Sequence, residues 1–160
     1  MSLCYALPTM TIEISDSVLE ILDKHRQRWG ISTEAGGQLF CTFEEGEIQI
    51  KDATEPRRTD RRSRFSFLPN RAREQQDIER LFSRGLHYIG DWHTHPEDSP
   101  LPSQEDISKI KAIFAKSNHE LKCMVLMIAG RVSGHDGLWV GVVGDGGISR
   151  ATAVQRDQAE

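Results

Sequence analysis

Gly90-Asp91-Trp92-His93-Thr94-His95-Pro96-Glu97-Asp98-Ser99-Pro100-Leu101-Pro102-Ser103-Gln104-Glu105-Asp106 reads as the end of a strand, a proline-rich turn and the start of a helix. The run Leu86 to Thr94 follows Gly85 and is rich in aromatic and β-branched residues, so it is expected to be extended. Side chains at i and i+2 leave the same face of a strand, which aims His93 and His95 the same way. Pro96 ends the strand, and Ser103 starts a helix whose Ile107, Ile110, Ala112, Ile113 and Phe114 roughly keep a helical period. Asp106 then falls in that helix's first turn. Two imidazoles and a carboxylate, with water in a fourth place, make up the donor set of a catalytic zinc site, whereas structural sites close with four protein ligands.

Each half of this constellation has a plainer explanation. Ser-x-x-Asp before an apolar helix is close to a capping box, in which the hydroxyl accepts a backbone N–H and the acid sits at the positive helix end. A single strand histidine is more often a surface or core residue than a ligand. The two histidines at i and i+2, followed by Pro and then Ser-x-x-Asp, favour the metal, and one turn can both cap and ligate.

His93-x-His95-Pro96, six residues and Ser103-x-x-Asp106 resemble the JAMM signature of the MPN+ metalloprotease family, and Glu34-Ala35-Gly36-Gly37-Gln38-Leu39 resembles its Glu-x-Gly-Gly-x-Leu element. The resemblance spans roughly residues 10 to 145. The stretch around His93 is most similar to the prokaryotic JAB-type branch, which includes versions tied to conjugative elements and to CBASS anti-phage operons. The resemblance implies an α/β (α+β) fold, a mixed, largely antiparallel sheet flanked by helices, MPN/JAB-like and cytidine-deaminase-like. It implies cleavage after the carboxyl end of a ubiquitin-like or related protein modifier, with one Zn2+ per chain held by His93, His95 and Asp106. Glu34 would be the general base and acid, and Ser103 a hydrogen-bond partner of the oxyanion. Zinc lowers the pKa of bound water from about 15.7 to about 7, and a carboxylate in reach can move its proton. Ser103 has no base of its own in the sequence, so it reads as a polarising donor rather than a nucleophile. After Gly-Gly-x-Leu the family often carries a small residue two positions on, where this chain has Phe40 and Cys41, a departure that bears on strand packing.

Other readings share these residues. The same donors would hydrolyse a small peptide or amide, a non-catalytic MPN module would only scaffold partners, and two histidines with one carboxylate also form the facial triad of iron(II) oxygenases. An intact set of five polar residues is more than a scaffold needs, and Glu34 has no place in an oxygenase.

Composition narrows the setting. The chain has 160 residues, 28% charged and 38% hydrophobic, as ordinary globular domains have. It is expected to form one domain over 1–160, with its core at about 10–145 and a polar tail over 146–160 that frays. A net charge of -4 and a pI near 5.9 give no reason to expect nucleic acid. No apolar run approaches about 18 residues and the start lacks a leader pattern, so a cytoplasmic protein without membrane contact is expected. Oligomeric state is left open. Cys4, Cys41 and Cys123 are widely spaced, without a Cys-x-x-Cys pair, and read as reduced, buried thiols.

Further expected elements are a strand at Thr9 to Ile14 and a helix capped at Ser15 or Asp16 that runs to about Arg28, with Val18, Leu19, Ile21 and Leu22 inward. A hairpin pairs Gly37 to Phe43 with Glu47 to Ala53 through Glu44-Glu45-Gly46, followed by a strand at Arg64 to Leu68 and a helix from Asn70 to about Gly85. Strands near Lys122 to Ala129 and Leu138 to Val143 complete a mixed sheet. Between Glu55 and Arg64, the residues Arg57, Arg58, Arg61, Arg62 and Arg64 surround Asp60. These read as a solvated or salt-bridged loop, or as a patch where Arg57, Arg58, Arg61 and Arg62 grip the extended tail of a protein substrate. Nucleic acid is a weaker third use.

Overall fold

In the computed structural model, residues 2–116 and 121–155 are described. The strands are β1 (Leu3–Leu7), β2 (Met10–Ile14), β3 (Gly36–Glu44), β4 (Glu47–Ala53), β5 (Arg61–Arg62), β6 (Phe67–Leu68), β7 (His87–Thr94), β8 (Met124–Ala129), β9 (Leu138–Gly144), β10 (Gly147–Arg150) and β11 (Thr152–Val154). The helices are α1 (Asp16–His25), α2 (Arg71–Phe82) and α3 (Gln104–Lys116), with a single 3-10 turn at His135–Gly137. Nine strands form one sheet in the order β10-β9-β8-β7-β3-β4-β2-β1-β11. The pairs β2/β4 and β7/β8 are parallel and the other neighbours antiparallel, so the expected mixed, largely antiparallel sheet is present.

Strand β8 shows how the layers are made. Val125, Met127 and Ala129 face one core with Val18 and Leu22 of α1, Ile12 and Ile14 of β2 and Trp92 of β7. The alternate residues Met124, Leu126 and Ile128 face a second core under Ile110 of α3. A strand covered on both faces reads as an unbroken apolar run, which is what MVLMIA is. Of the four residues expected inward on α1, Val18 and Leu22 are fully buried and Leu19 and Ile21 partly so. The three cysteines are buried and free.

Two β-bulges flank the strand segment that departs from the family pattern. The β3/β7 register passes from Leu39↔Gly90 to Phe40↔Tyr88, and the β3/β4 register from Phe40↔Asp52 to Cys41↔Ile50, leaving Ile89 and Lys51 as the extra residues. Phe40 and Cys41 are both fully buried there. The bulge in β7 also resets side-chain parity, so that Ile89 and Trp92 share the first core while His93 faces away from it. Gly90 makes this possible: it sits at φ 156°, and a Cβ would collide with the Val125 carbonyl on β8.

Four expectations need correction. An additional strand, β1, precedes the first expected one, and the two pair as a hairpin; its Leu-Cys-Tyr-Ala-Leu run has too little polar alternation to be read as a strand. Helix α1 ends at His25, not Arg28, because Arg26 turns extended and its guanidinium donates to the Gly130 and Gly137 carbonyls, both at 2.9 Å. The strand at Arg64 to Leu68 is instead a short ribbon in which Arg61–Arg62 pairs with Phe67–Leu68 around the turn at Ser63–Ser66. The fraying tail is wrong for residues 147–154: β10 pairs with β9 and β11 with β1, while positions 156–160 lie outside the described residues. Only Ala151 separates β10 from β11, yet they belong to opposite ends of the strand order, so the two ends of the sheet meet at this residue. The N-terminal strand outside the expected core, 10–145, is thus pinned by the C-terminal one.

Candidate metal centre

The end of β7, the start of β3 and the first turn of α3 converge on one cleft of ≈ 380 Å³, whose walls include Glu34, His93, His95, Ser103 and Asp106. The approach of β3 to β7 depends on Gly36 and Gly37. A Cβ at Gly36 would meet the Phe67 ring and the Trp92 carbonyl, and one at Gly37 would run into the Thr54 carbonyl. Glu34 lies just before β3. Its N–H donates to the Ser63 carbonyl at 2.6 Å, and its own carbonyl accepts from Arg62 Nε at 3.0 Å. Ala35 exchanges two bonds with Thr94, its N–H reaching Thr94 Oγ1 and its carbonyl accepting the Thr94 N–H, each at 2.9 Å. Thr94 Oγ1 in turn donates to Gln27 Oε1 at 2.9 Å, while Gln27 Nε2 donates to the Ser32 and Arg64 carbonyls at 3.2 and 2.8 Å. Gln27 is buried, and through it the end of α1, the loop before Glu34, the ribbon turn and the histidine strand are tied together. No motif marks Gln27 in the sequence; its role arises from contacts 37 and 67 positions away.

On the opposite wall, Ser103 and Asp106 form a reciprocal capping box: the Asp106 N–H donates to Ser103 Oγ at 3.0 Å and the Ser103 N–H to Asp106 Oδ2 at 2.8 Å. Asp106 Oδ2 also lies 3.1 Å from His95 Nε2. The plainer cap and the candidate ligand are therefore the same residue.

Ligand atoms of Glu34, His95 and Asp106 all lie within 4.8 Å of one another, the arrangement of a potential ion-binding group among the described residues. This differs from the expected trio. His93 stands outside that tight group, and Glu34, expected as the base, is inside it. His93 nevertheless lines the same cleft, and its Nδ1 is shut off from solvent with no hydrogen-bond partner. A buried nitrogen left unpaired is unusual and points to something that the side chains do not supply.

The electrostatics suit a cation. Burial pushes the His93 imidazole down to about 4, partly countered by the Asp106 carboxylate, so at neutral pH it is an uncharged ring with a lone pair. Burial works against charge on Asp106 too, but the hydrogen bonds from His95 and the Ser103 N–H outweigh it and hold the carboxyl well below its usual range. Burial likewise opposes charge on His95, and its bond to Asp106 outweighs that, so its pKa is raised. Burial raises Glu34 to about 7, with His95 lowering it and Asp106 raising it. An ionised carboxylate, a neutral imidazole with an orphaned nitrogen, and a second imidazole fit a borderline metal such as zinc.

Residues 15–140 match the family described as prokaryotic homologs of the JAB domain. The chain belongs to that family. Among similar members, a protein of Escherichia coli strain TW11681 called a CD-NTase/cGAS isopeptidase is 33% identical over 134 residues, covering 81% of this chain and 80% of its own. A Pseudomonas aeruginosa protein of the same name is 31% identical over 120 residues, covering 73% and 76%. A probable metalloprotease of Sinorhizobium fredii is 31% identical over 141 residues, covering 81% and 83%. Among solved structures, a protein from Desulfitobacterium hafniense superposes with a TM-score of 0.62 at 15% identity, covering 92% of this chain and 94% of that one. That last likeness concerns the fold alone.

The arginine cluster divides in this JAB-type chain. Arg57 is part-buried, bonded through Nη2 to Asp77 Oδ2 and to Gln38 Oε1, and it ties β3 to α2. Arg62 holds the Glu34 carbonyl. Arg58 and Arg61 are exposed, and the cleft wall beside the ribbon is built from Phe65, Ser66, Phe67 and Leu68 rather than from the four arginines. No helix among the described residues is long and apolar enough to cross a membrane.

Proposed function

We propose that this chain is a zinc-dependent isopeptidase that cleaves after the carboxyl end of a ubiquitin-like modifier joined to another protein. The observation that carries the proposal is the convergence of Glu34, His95 and Asp106 within 4.8 Å beside the orphaned Nδ1 of His93. His93, His95 and Asp106 are the residues that would hold the ion. What zinc supplies when bound is Lewis acidity, which acidifies water and polarises a carbonyl.

Glu34 takes a proton as water adds to the isopeptide carbonyl carbon, and returns it to the amine nitrogen as the C–N bond breaks. A carboxylate at the rim of the ion site can make both transfers, as base and then as acid. Ser103 Oγ already accepts the Asp106 N–H, so its own proton is free to be donated to the developing oxyanion. Arg58 and, within the ribbon, Arg61 are exposed, and in this reading they meet carboxylates or carbonyls of an extended tail. The name CD-NTase/cGAS isopeptidase carried by the relatives supports a protein substrate and a CD-NTase/cGAS-type target; a role in bacterial anti-phage conjugation is part of the proposal.

The test combines metal analysis with turnover of a modifier–protein conjugate. About one zinc per chain is expected. Glu34→Ala should keep the zinc and lose about 10²- to 10⁴-fold in kcat, and His95→Ala should lose both. Iron with oxygen-dependent turnover, or a Glu34→Ala variant as fast as the wild type, would overturn the proposal.

A further inference from the structure

A second cavity, of ≈ 260 Å³, lies at the seam where the sheet closes, among Tyr5 of β1, His135 of the 3-10 turn, Leu138 and Val140 of β9, Arg150 at the end of β10, and Ala151. None of these residues lines the cleft around His95. Tyr5 is 2% exposed, and its hydroxyl has no hydrogen-bond partner. His135 Nδ1 is equally shut off and unpartnered, and the two rings meet edge-on with centroids 5.0 Å apart. Two orphaned polar atoms around one cavity call for a ligand that bonds both.

The surrounding charge indicates which kind. Burial pushes the Tyr5 phenol up to about 12, so it stays protonated and can donate, while the charges acting on it are the guanidiniums of Arg26 and Arg150. Arg26 is committed, through Nε to Asp23 and through Nη1 to two backbone carbonyls. The Arg150 guanidinium has no ion pair or hydrogen bond with a described residue, and Arg150 lines the cavity. Donors and a free cation on one side face the apolar Leu138, Val140 and Ala151 on the other.

We propose that this cavity binds a small oxyanion, a carboxylate or phosphate group that accepts hydrogen bonds from Tyr5 Oη and His135 Nδ1 and pairs with Arg150. Tyr5 and Arg150 both lie outside the residues 15–140 that match the family. It does not rest on the hydrolytic reading.

Calorimetric titration of the full chain with sodium phosphate and, separately, sodium acetate, at an ionic strength held constant with sodium chloride, tests it. Saturable binding of at least one of the two is expected, with phosphate and acetate telling the two chemistries apart. Binding should weaken about tenfold or more in Arg150→Ala and in Tyr5→Phe. Arg150 is exposed, so its variant remains informative should Tyr5→Phe fail to fold. Absence of saturable binding by the wild type, or unchanged binding by Arg150→Ala, would overturn the proposal. So would loss in Arg150→Ala with full binding in a folded Tyr5→Phe, since the ion would then sit on a surface guanidinium.

Discussion

At Ser103 a single oxygen accepts the Asp106 N–H at 3.0 Å and still has a proton to give. Ser103→Ala should therefore show two separable losses: about 1 kcal/mol of stability from the missing cap, and about 10²-fold or more in kcat from the missing donor. Ser103→Thr, which caps and donates, should recover both, as followed by thermal melting and steady-state kinetics. Gly37 is constrained in a different way, because a Cβ there runs into the Thr54 carbonyl, part of the backbone. Gly37→Ala should cost roughly 1 to 3 kcal/mol or more from overpacking, while Gly30→Ala, with open space around it, should leave the denaturant midpoint nearly unchanged. In the sequence, Gly36-Gly37 was legible as part of the Glu-x-Gly-Gly-x-Leu element. What approaches them, Phe67 and Thr54, could not be read from local pattern, since the partners are brought there by the ribbon and by β4.

Between elements, the links to Glu34 are long in sequence and short in space. Arg62 holds the Glu34 carbonyl, so Arg62→Ala should act on kcat, whereas Arg61→Ala, if Arg61 meets substrate, should act on KM. A KM effect confined to Arg62→Ala would contradict this division. The histidine strand β7 carries a buried acid in Asp91, which accepts from the Tyr88 hydroxyl at 2.8 Å. Burial first and the neighbouring Glu74 carboxylate second push its carboxyl up to about 7 from 3.8, against the Tyr88 bond. With the native pKa above the unfolded one, the native state binds more protons across that interval, so stability falls as pH rises from about 3.8 to 7. Asp91→Asn should then raise Tm at pH 8 and have little effect at pH 4; the reverse order would show that the charge at Asp91 is stabilising. The paired carboxyls were invisible in sequence because Asp91 and Glu74 are 17 positions apart and meet only when α2 packs on β7.

Across the whole molecule, closure at Ala151 leaves β9 and β1 each covered by a strand from the C-terminal segment. An uncovered strand edge is a template for pairing with other chains. Truncation after Gly146 should expose both edges, lower Tm and produce concentration-dependent association by size-exclusion chromatography; a monomeric, equally stable truncation would show that the closing strands are dispensable. The sequence carried the strand–turn–helix around His95, the Glu34 element and the family, because those depend on residue type at short spacing and on alternation that a strand or helix imposes directly. It misjudged the tail, since Gly147 to Val154 has little apolar patterning and becomes ordered through backbone hydrogen bonds to β9 and β1 instead. Three-dimensional packing alone set the grouping of Glu34 with His95 and Asp106, the Gln27 tie and the Tyr5 cavity. These rest on contacts between distant segments, where burial and the loss of water, not local propensity, determine which polar groups must find one another.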